Sequence, residues 1–224
     1  MTGKNRSSIS MIEAAYDRDI ADLLQPHGYR RKRKGLIISS SQSRVSTALS
    51  IAFTRKDLLV AQASLCVFVP DVSRLISEAF IEMFGDDVMS RSSDLGSPIL
   101  VRLLYDIMNR DFGMDRNPFS YSVSTLTGVA EKSKLLAGDF LMAAPPFFSK
   151  VGTMRAVMTF IREHPASAGT KRDISFLAAA FVSGDEKCIA EGIARSMAND
   201  AAPMSRQFAS FIERKLTTNQ RPGR

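Results

Sequence analysis

Few residues in this sequence have the side chains and the spacing that catalysis or metal binding requires. The histidines are His27 and His164, and the cysteines are Cys66 and Cys188. A zinc site would need these four separate segments to converge. Both cysteines lie in apolar contexts, where a cysteine usually serves as a small buried side chain. We therefore expect no bound metal.

Motifs of the common enzyme classes are missing from the sequence. It contains no glycine-rich dinucleotide loop, no P-loop, no Gly-x-Ser-x-Gly and no His-Glu-x-x-His. Asp86-Asp87 could hold magnesium, but such pairs are typical of solvated loops. Asp17 and Asp19 lie two apart on a predicted helix and so point to different sides. The sequence favours a protein without catalytic activity or cofactor.

One segment, residues 30–56, holds the entire excess of positive charge. It has eight basic residues and no acidic one, which leaves 22 basic against 23 acidic residues elsewhere. An extended strand would place Arg31 and Arg33 on one face and the other cations of 30–34 on the opposite face. Five unpaired cations cannot all be buried. We therefore expect a solvated face or edge, and the candidate binding residues are Arg30, Arg31, Lys32, Arg33, Lys34, Arg44, Arg55 and Lys56.

This basic hairpin region allows two interpretations. Charged residues can protect the edge of a sheet from pairing with other chains. Alternatively, the cations bind an anionic partner such as an acidic protein, a nucleic acid or a phosphorylated ligand. Single-strand binding usually needs several exposed rings, and only Tyr29 and Phe53 lie nearby. No helix-turn-helix, zinc-finger or RNA-recognition signature is present.

The elements that must position these cations follow from the apolar periodicity. A helix is predicted from Ser8 or Ser10 to about Gln25, because apolar residues recur at helical spacing. The period then changes to two, and three antiparallel strands are predicted at 29–39, 44–56 and 58–69. A second helix, capped by Asp71 or Ser73, ends at Gly85.

The second half of the sequence is mainly helical in pattern. Ser97-Pro98 has the signature of a helix start, with apolar residues continuing to Met108. A short fourth strand is possible at 118–123. Further helices are predicted from 124 to the double proline Pro145-Pro146, then at 153–163, 174–182, 186–197 and 205–216.

These elements predict an α+β fold: an N-terminal helix, an antiparallel sheet of three to four strands packed by helices, and a C-terminal helical array. We expect an α+β domain over 1–165 and a C-terminal helical extension with a polar tail over 166–224. The chain has 224 residues, 45% of them hydrophobic and 24% charged, which excludes a disordered or collagen-like protein. No apolar run reaches the length of a membrane span, and the N-terminus lacks a signal-peptide core. We expect a cytoplasmic protein.

The segment Leu24-Gln25-Pro26-His27-Gly28-Tyr29-Arg30-Arg31-Lys32, between a helix and a strand, resembles the start of the bacterial family called domain of unknown function 4304. Pro145-Pro146-Phe147-Phe148 is similar to a segment near that family's C-terminal end, so the resemblance covers roughly 10–165. The family has no established activity, but some relatives look like immunity proteins that neutralise a toxin by binding it. Nuclease inhibitors are usually acidic, and this chain is basic. The sequence thus predicts a non-catalytic protein-binding module, and the resemblance implies that its role could be that of an immunity protein. The alternative is binding of nucleic acid or another anion through the basic hairpin at residues 30–56.

Overall fold

The computed structural model describes residues 3–39, 44–55, 58–85 and 97–219. The chain divides into two compact units, Met1–Val67 with Val101–Ser149 and Phe68–Leu100 with Lys150–Arg224. Each unit draws on two separate segments of the sequence. The predicted α+β class is confirmed. The domain boundary at 165 stays a prediction.

A five-stranded antiparallel sheet belongs to the first unit, apart from the end residues Phe68 and Leu100. The strands lie side by side in chain order, so the first and the last are the edges. They are β1 (Tyr29–Arg33), β2 (Leu36–Ser39), β3 (Ser46–Arg55), β4 (Leu59–Phe68) and β5 (Leu100–Leu103). The helices of this unit are α1 (Gly3–Leu24), α3 (Leu104–Phe112) and α4 (Leu126–Ser149), and α4 packs against both others.

The apolar stripe of α1 is buried, as its periodicity predicts. Ile12, Tyr16, Ile20 and Leu24 lie on this stripe and are all buried. The helix begins at Gly3, earlier than the serines that the sequence favours as caps. The Tyr16 ring also meets the Phe53 ring edge-on, at a centroid distance of 6.1 Å. This contact places α1 on one face of the sheet.

The strand predicted over 29–39 is a hairpin instead. Lys34 and Gly35 form the turn between β1 and β2, and Gly35 has φ of +69°. A Cβ atom at Gly35 would run into the carbonyl oxygen of Ile51, and the Gly35 carbonyl accepts a hydrogen bond from Ile51 N at 2.7 Å. Only glycine fits both the positive φ and this close approach.

Two further predictions in this unit are wrong. The helix expected directly after Ser97-Pro98 is preceded by strand β5 and begins only at Leu104. The strand expected at 118–123 is a turn, and Val123 alone bridges to Leu59 through a pair of hydrogen bonds of 2.9 Å. Both differences have one physical reason: the outer edge of β4 is paired by these two short segments, a long-range requirement that local patterns do not contain.

Helix α4 runs through Pro145 and Pro146, where the sequence predicts its end. Both prolines lie within the last five residues of the helix, and their missing N–H groups leave the ladder without two of its hydrogen bonds. Phe147 is still buried, and the rings of Phe147 and Phe148 pack at 5.5 Å. The aromatic packing extends the helix to Ser149.

The described part of the second unit is helical. It contains α2 (Pro70–Phe84), α5 (Met154–Glu163), α6 (Arg172–Ser183), α7 (Glu186–Met197) and α8 (Pro203–Asn219). Helix α6 lies at its centre, packing against α2, α5, α7 and α8. The predicted helices at 153–163, 174–182, 186–197 and 205–216 are confirmed. The N-cap of α2 is Val69 rather than Asp71 or Ser73, and its side chain makes no capping bond.

No helix among the described residues has the length and apolar character needed to cross a membrane.

The basic edge strand as a candidate functional site

The basic run lies on an edge of the sheet. Strand β1 has a strand neighbour, β2, on one side only within the described sheet. Tyr29 is half-buried, and its ring meets Phe140 of α4 edge-on at 5.0 Å, which fixes the start of the strand. The next four residues, Arg30 to Arg33, are all exposed. This edge is therefore a solvated surface of positive charge.

A β-bulge sorts the arginines of β1 onto two faces. Arg30 lies opposite Ile38, Arg31 opposite Ile37 and Arg33 opposite Leu36, with the register shift between Arg31 and Arg33. Residues two apart on a strand share a face, so Leu36 and Ile38 point the same way. Arg30 and Arg33 therefore project from one face, and Arg31 from the other. The sequence predicted strict alternation, with Arg31 and Arg33 together, and the extra residue of the bulge reverses this.

On the α1 face, two cations of the run neutralise buried acids. Arg31 Nη2 lies 2.6 Å from Asp17 Oδ2, and Lys34 Nζ lies 2.5 Å from Glu13 Oε1. Asp17 is fully buried and Glu13 nearly so. Asp17 Oδ1 also accepts a hydrogen bond from Gly35 N at 2.7 Å. The turn after β1 is thereby tied to α1.

The Arg31 contact is a close charge pair rather than an aligned hydrogen bond. Oδ2 of Asp17 has no hydrogen bond among the described residues, although the guanidinium lies 2.6 Å away. A buried carboxylate without a nearby cation is strongly unfavourable. Arg31 and Lys34 thus have a structural function: their charges are matched by buried acids, although both side chains remain about half exposed.

Sequence reasoning missed these acids. It treated Asp17 as one of two divergent carboxylates of α1 and gave Glu13 no role. A usable signal was present, because Glu13 and Asp17 are four residues apart and adjoin the apolar residues Ile12, Tyr16 and Ile20. Two acids so close to the apolar stripe need cations from another element.

Two cations of the edge have no ion-pair partner among the residues that the structure describes. Arg30 and Arg33 are exposed and make no ion pair within the described part of the chain. Lys32 is exposed too but interacts with another residue, as does the exposed Arg44. Arg55 is the last residue of β3, and its side chain is outside the described ones. Lys56 also lies outside the described residues.

The two aromatic residues of the region do not form a stacking surface. Tyr29 packs on Phe140, and Phe53 packs on Tyr16. Both rings thus contribute to the core contacts of the first unit. Base stacking on exposed rings is the main sequence-independent source of affinity for single-stranded nucleic acid besides charge. The described edge offers charge and backbone groups alone.

A second polar cluster in the first unit is structural. The guanidinium of Arg116 donates to both carboxylate oxygens of Asp139, at 2.7 Å and 3.1 Å. Tyr121 donates to Asp139 Oδ2 at 2.9 Å, and Tyr16 donates to the Tyr121 carbonyl at 2.9 Å. Burial and the charge of Asp139 raise the pKa of the Tyr121 hydroxyl, which keeps it a donor. The cluster attaches the loop before α4 to α4 and α1.

The residues first considered for chemistry lack activating surroundings. Burial raises the pKa of the Cys66 thiol to about 12, and burial and Asp185 raise the pKa of the Cys188 thiol. A nucleophilic cysteine needs a lowered pKa. Among the described residues, no three His, Cys, Asp or Glu side chains converge as metal ligands. Asp86 and Asp87 lie outside that part of the chain.

The chain matches no known family model, no curated protein and no solved structure. The resemblance to domain of unknown function 4304 stays an expectation.

Proposed function

We propose that this protein is a non-catalytic binding protein whose basic edge holds an acidic surface of a protein partner. One observation carries the proposal: Arg30 and Arg33 project together from an exposed sheet edge and are not neutralised within the described residues. Arg31 and Lys34, by contrast, are matched to buried acids. The proposal includes the immunity-like mode that the family resemblance implies, and a cytoplasmic location.

Nucleic acid is the weaker occupant of this edge for two reasons. Affinity for DNA falls with salt by a slope of about −0.9 per phosphate contacted. Arg30 and Arg33 by themselves therefore account for a slope of only about −2, less than strong non-specific binding requires. The neighbouring rings are also engaged in core contacts. A protein partner can add apolar and backbone contacts that two charges alone do not provide.

The test compares two variants that remove equal charge. In the edge variant, Arg30→Gln and Arg33→Gln remove the free edge cations. In the control variant, Arg18→Gln and Lys134→Gln remove two cations of the same unit that are also exposed and make no ion pair within the described chain. Both variants and the wild type serve as affinity bait, and each captured protein is then purified and titrated directly.

We expect a partner that binds the wild type and the control variant alike and binds the edge variant at least about tenfold more weakly. Two exposed charge pairs at up to about 1 kcal/mol each support a change of this size. If every purified partner binds all three proteins equally, the edge is not the binding site. If only the nucleic acid in the eluate depends on Arg30 and Arg33, and a duplex binds with a slope steeper than about −2, the nucleic-acid alternative replaces our proposal.

A further inference from the structure

Within the described sheet, one side of the backbone of the edge strand has no neighbouring strand. An antiparallel strand with one neighbour turns every second pair of N–H and C=O groups away from the sheet. Strand β1 has five residues, Tyr29 to Arg33, and β2 pairs along one side only. At the opposite edge, β5 has four residues. Strand β1 is the longer of the two edges and has four exposed basic residues in succession.

Charge decides which strand can occupy this edge. Pairing of β1 with β1 of a second copy would bring Arg30 and Arg33 close to the same residues of the other chain. Like charges opposite one another destabilise a strand pair. A self-paired dimer is therefore disfavoured, and an extended segment with acidic side chains is favoured.

The bulge defines the spacing of those acids. Arg30 and Arg33 are three residues apart in sequence, yet they lie opposite Ile38 and Leu36, which are two residues apart. A regular strand spans about 6.8 Å over two residues and keeps them on one face. An added strand therefore matches both arginines with acids at positions i and i+2. A helix does not place i and i+2 on the same face.

We propose that an extended acidic segment of the partner adds a strand beside β1, with acids two residues apart facing Arg30 and Arg33. This inference rests on the proposed function and specifies how the partner binds. Backbone hydrogen bonds supply affinity in such strand addition, and alternate side chains supply specificity. The bulge gives the edge its selectivity, since it brings the two free cations onto one face.

The probe is a blocked nine-residue peptide that alternates valine and glutamate. Two N-methylated forms serve as matched comparisons: one methylated on one set of alternate residues, the other on the remaining set. An added strand turns one set of N–H groups toward β1 and the other toward solvent. Titration of the full-length protein gives the affinity of each form. Amide hydrogen exchange of β1 is measured with and without the unmodified peptide.

We expect one N-methylated form to bind about 30-fold more weakly than the unmodified peptide, equal to ~2 kcal/mol at 1.4 kcal/mol per tenfold. The other form should stay within about threefold. Alternate amides of β1 should gain protection, and the edge variant should lose most of the binding while the control variant keeps it.

The other outcomes separate the two proposals. If the peptide depends on Arg30 and Arg33 but both methylated forms bind equally well, strand addition is refuted and the charged binding site stands. If the peptide binds the edge variant as well as the wild type, or does not bind at about 1 mM, strand addition is also refuted. The proposed function is then decided by the captured partners alone, and it fails if their affinity is independent of the edge.

Discussion

Arg31 and Arg33 provide the most direct test of the division between structural and free cations. They are two residues apart in one exposed strand, but the bulge turns them to different faces. Arg31 pairs with the fully buried Asp17, and its own side chain is 48% exposed. Arg33 has no ion pair among the described residues. Replacement of each by Gln removes the same charge from the same strand.

The expected cost of Arg31→Gln follows from the burial of its partner. Loss of one member of a fully buried ion pair costs about 3–5 kcal/mol, because the other charge is left uncompensated. Solvent screens the half-exposed guanidinium, which lowers the expected loss to about 2 kcal/mol. For a chain of this length, that equals a fall in Tm of about 4–8 °C. Arg33→Gln should change the free energy of unfolding by less than about 0.5 kcal/mol.

Urea titration followed by circular dichroism gives the free energy of unfolding of both variants. Amide hydrogen exchange of Gly35 reports the local effect, since its N–H donates to Asp17. A further variant sharpens the test. Asp17→Asn combined with Arg31→Gln removes the buried charge together with its partner, so the double variant should be more stable than Arg31→Gln alone. Equal losses for Arg31→Gln and Arg33→Gln would refute the division of the run. So would a double variant that is the least stable of all.

Three further predictions concern single positions. With a pKa of about 12, the Cys66 thiol is only about one part in ten thousand ionised at pH 8. A thiol reagent should therefore modify the partly exposed Cys188 first and the buried Cys66 only when the protein unfolds, and equal rates of modification would contradict this. Gly35→Ala and Gly28→Ala both place alanine at a positive φ, but only at Gly35 would the new Cβ atom collide with a backbone atom. In urea titrations, Gly35→Ala should therefore lower the free energy of unfolding by at least about 2 kcal/mol more than Gly28→Ala does. Tyr121→Phe removes a hydrogen bond to a buried carboxylate of α4, and the same titrations should show a loss of about 1.5–3 kcal/mol, whereas an unchanged midpoint would exclude a role for this bond.

Local periodicity was sufficient to predict much of the fold. The buried stripe of α1 and the alternation of β3 each follow from the spacing of apolar residues over one element. The helices α5 to α8 were likewise predictable, because each has its own apolar stripe. Helix α5 begins where expected, with Thr153 accepting a hydrogen bond from Ala156 N at 3.2 Å. Such signals are contained within about ten residues.

Other features depend on contacts that a local pattern does not contain. Strand β5 follows a strong helix-start signature at Ser97-Pro98, but the outer edge of β4 needs partners. The sequence pattern does not reveal the turn at Lys34 and Gly35, because the charged residues before it and the apolar residues after it both continue a strand pattern. Its one sequence signal is Gly35, and a lone glycine in a strand pattern equally suggests a bulge.

The charge of the candidate site also depends on contacts that the local sequence pattern does not contain. From the sequence, the basic run is a single patch of five cations, because neither the pairing of Arg31 and Lys34 with α1 nor the bulge is visible there. In the structure, buried acids account for two of the five, and the bulge selects which of the others share a face. A count of basic residues therefore overstates the field that a partner meets. The charge that a partner meets at this edge is set by the cations that the fold leaves without an acid, which among the described residues of β1 are Arg30 and Arg33.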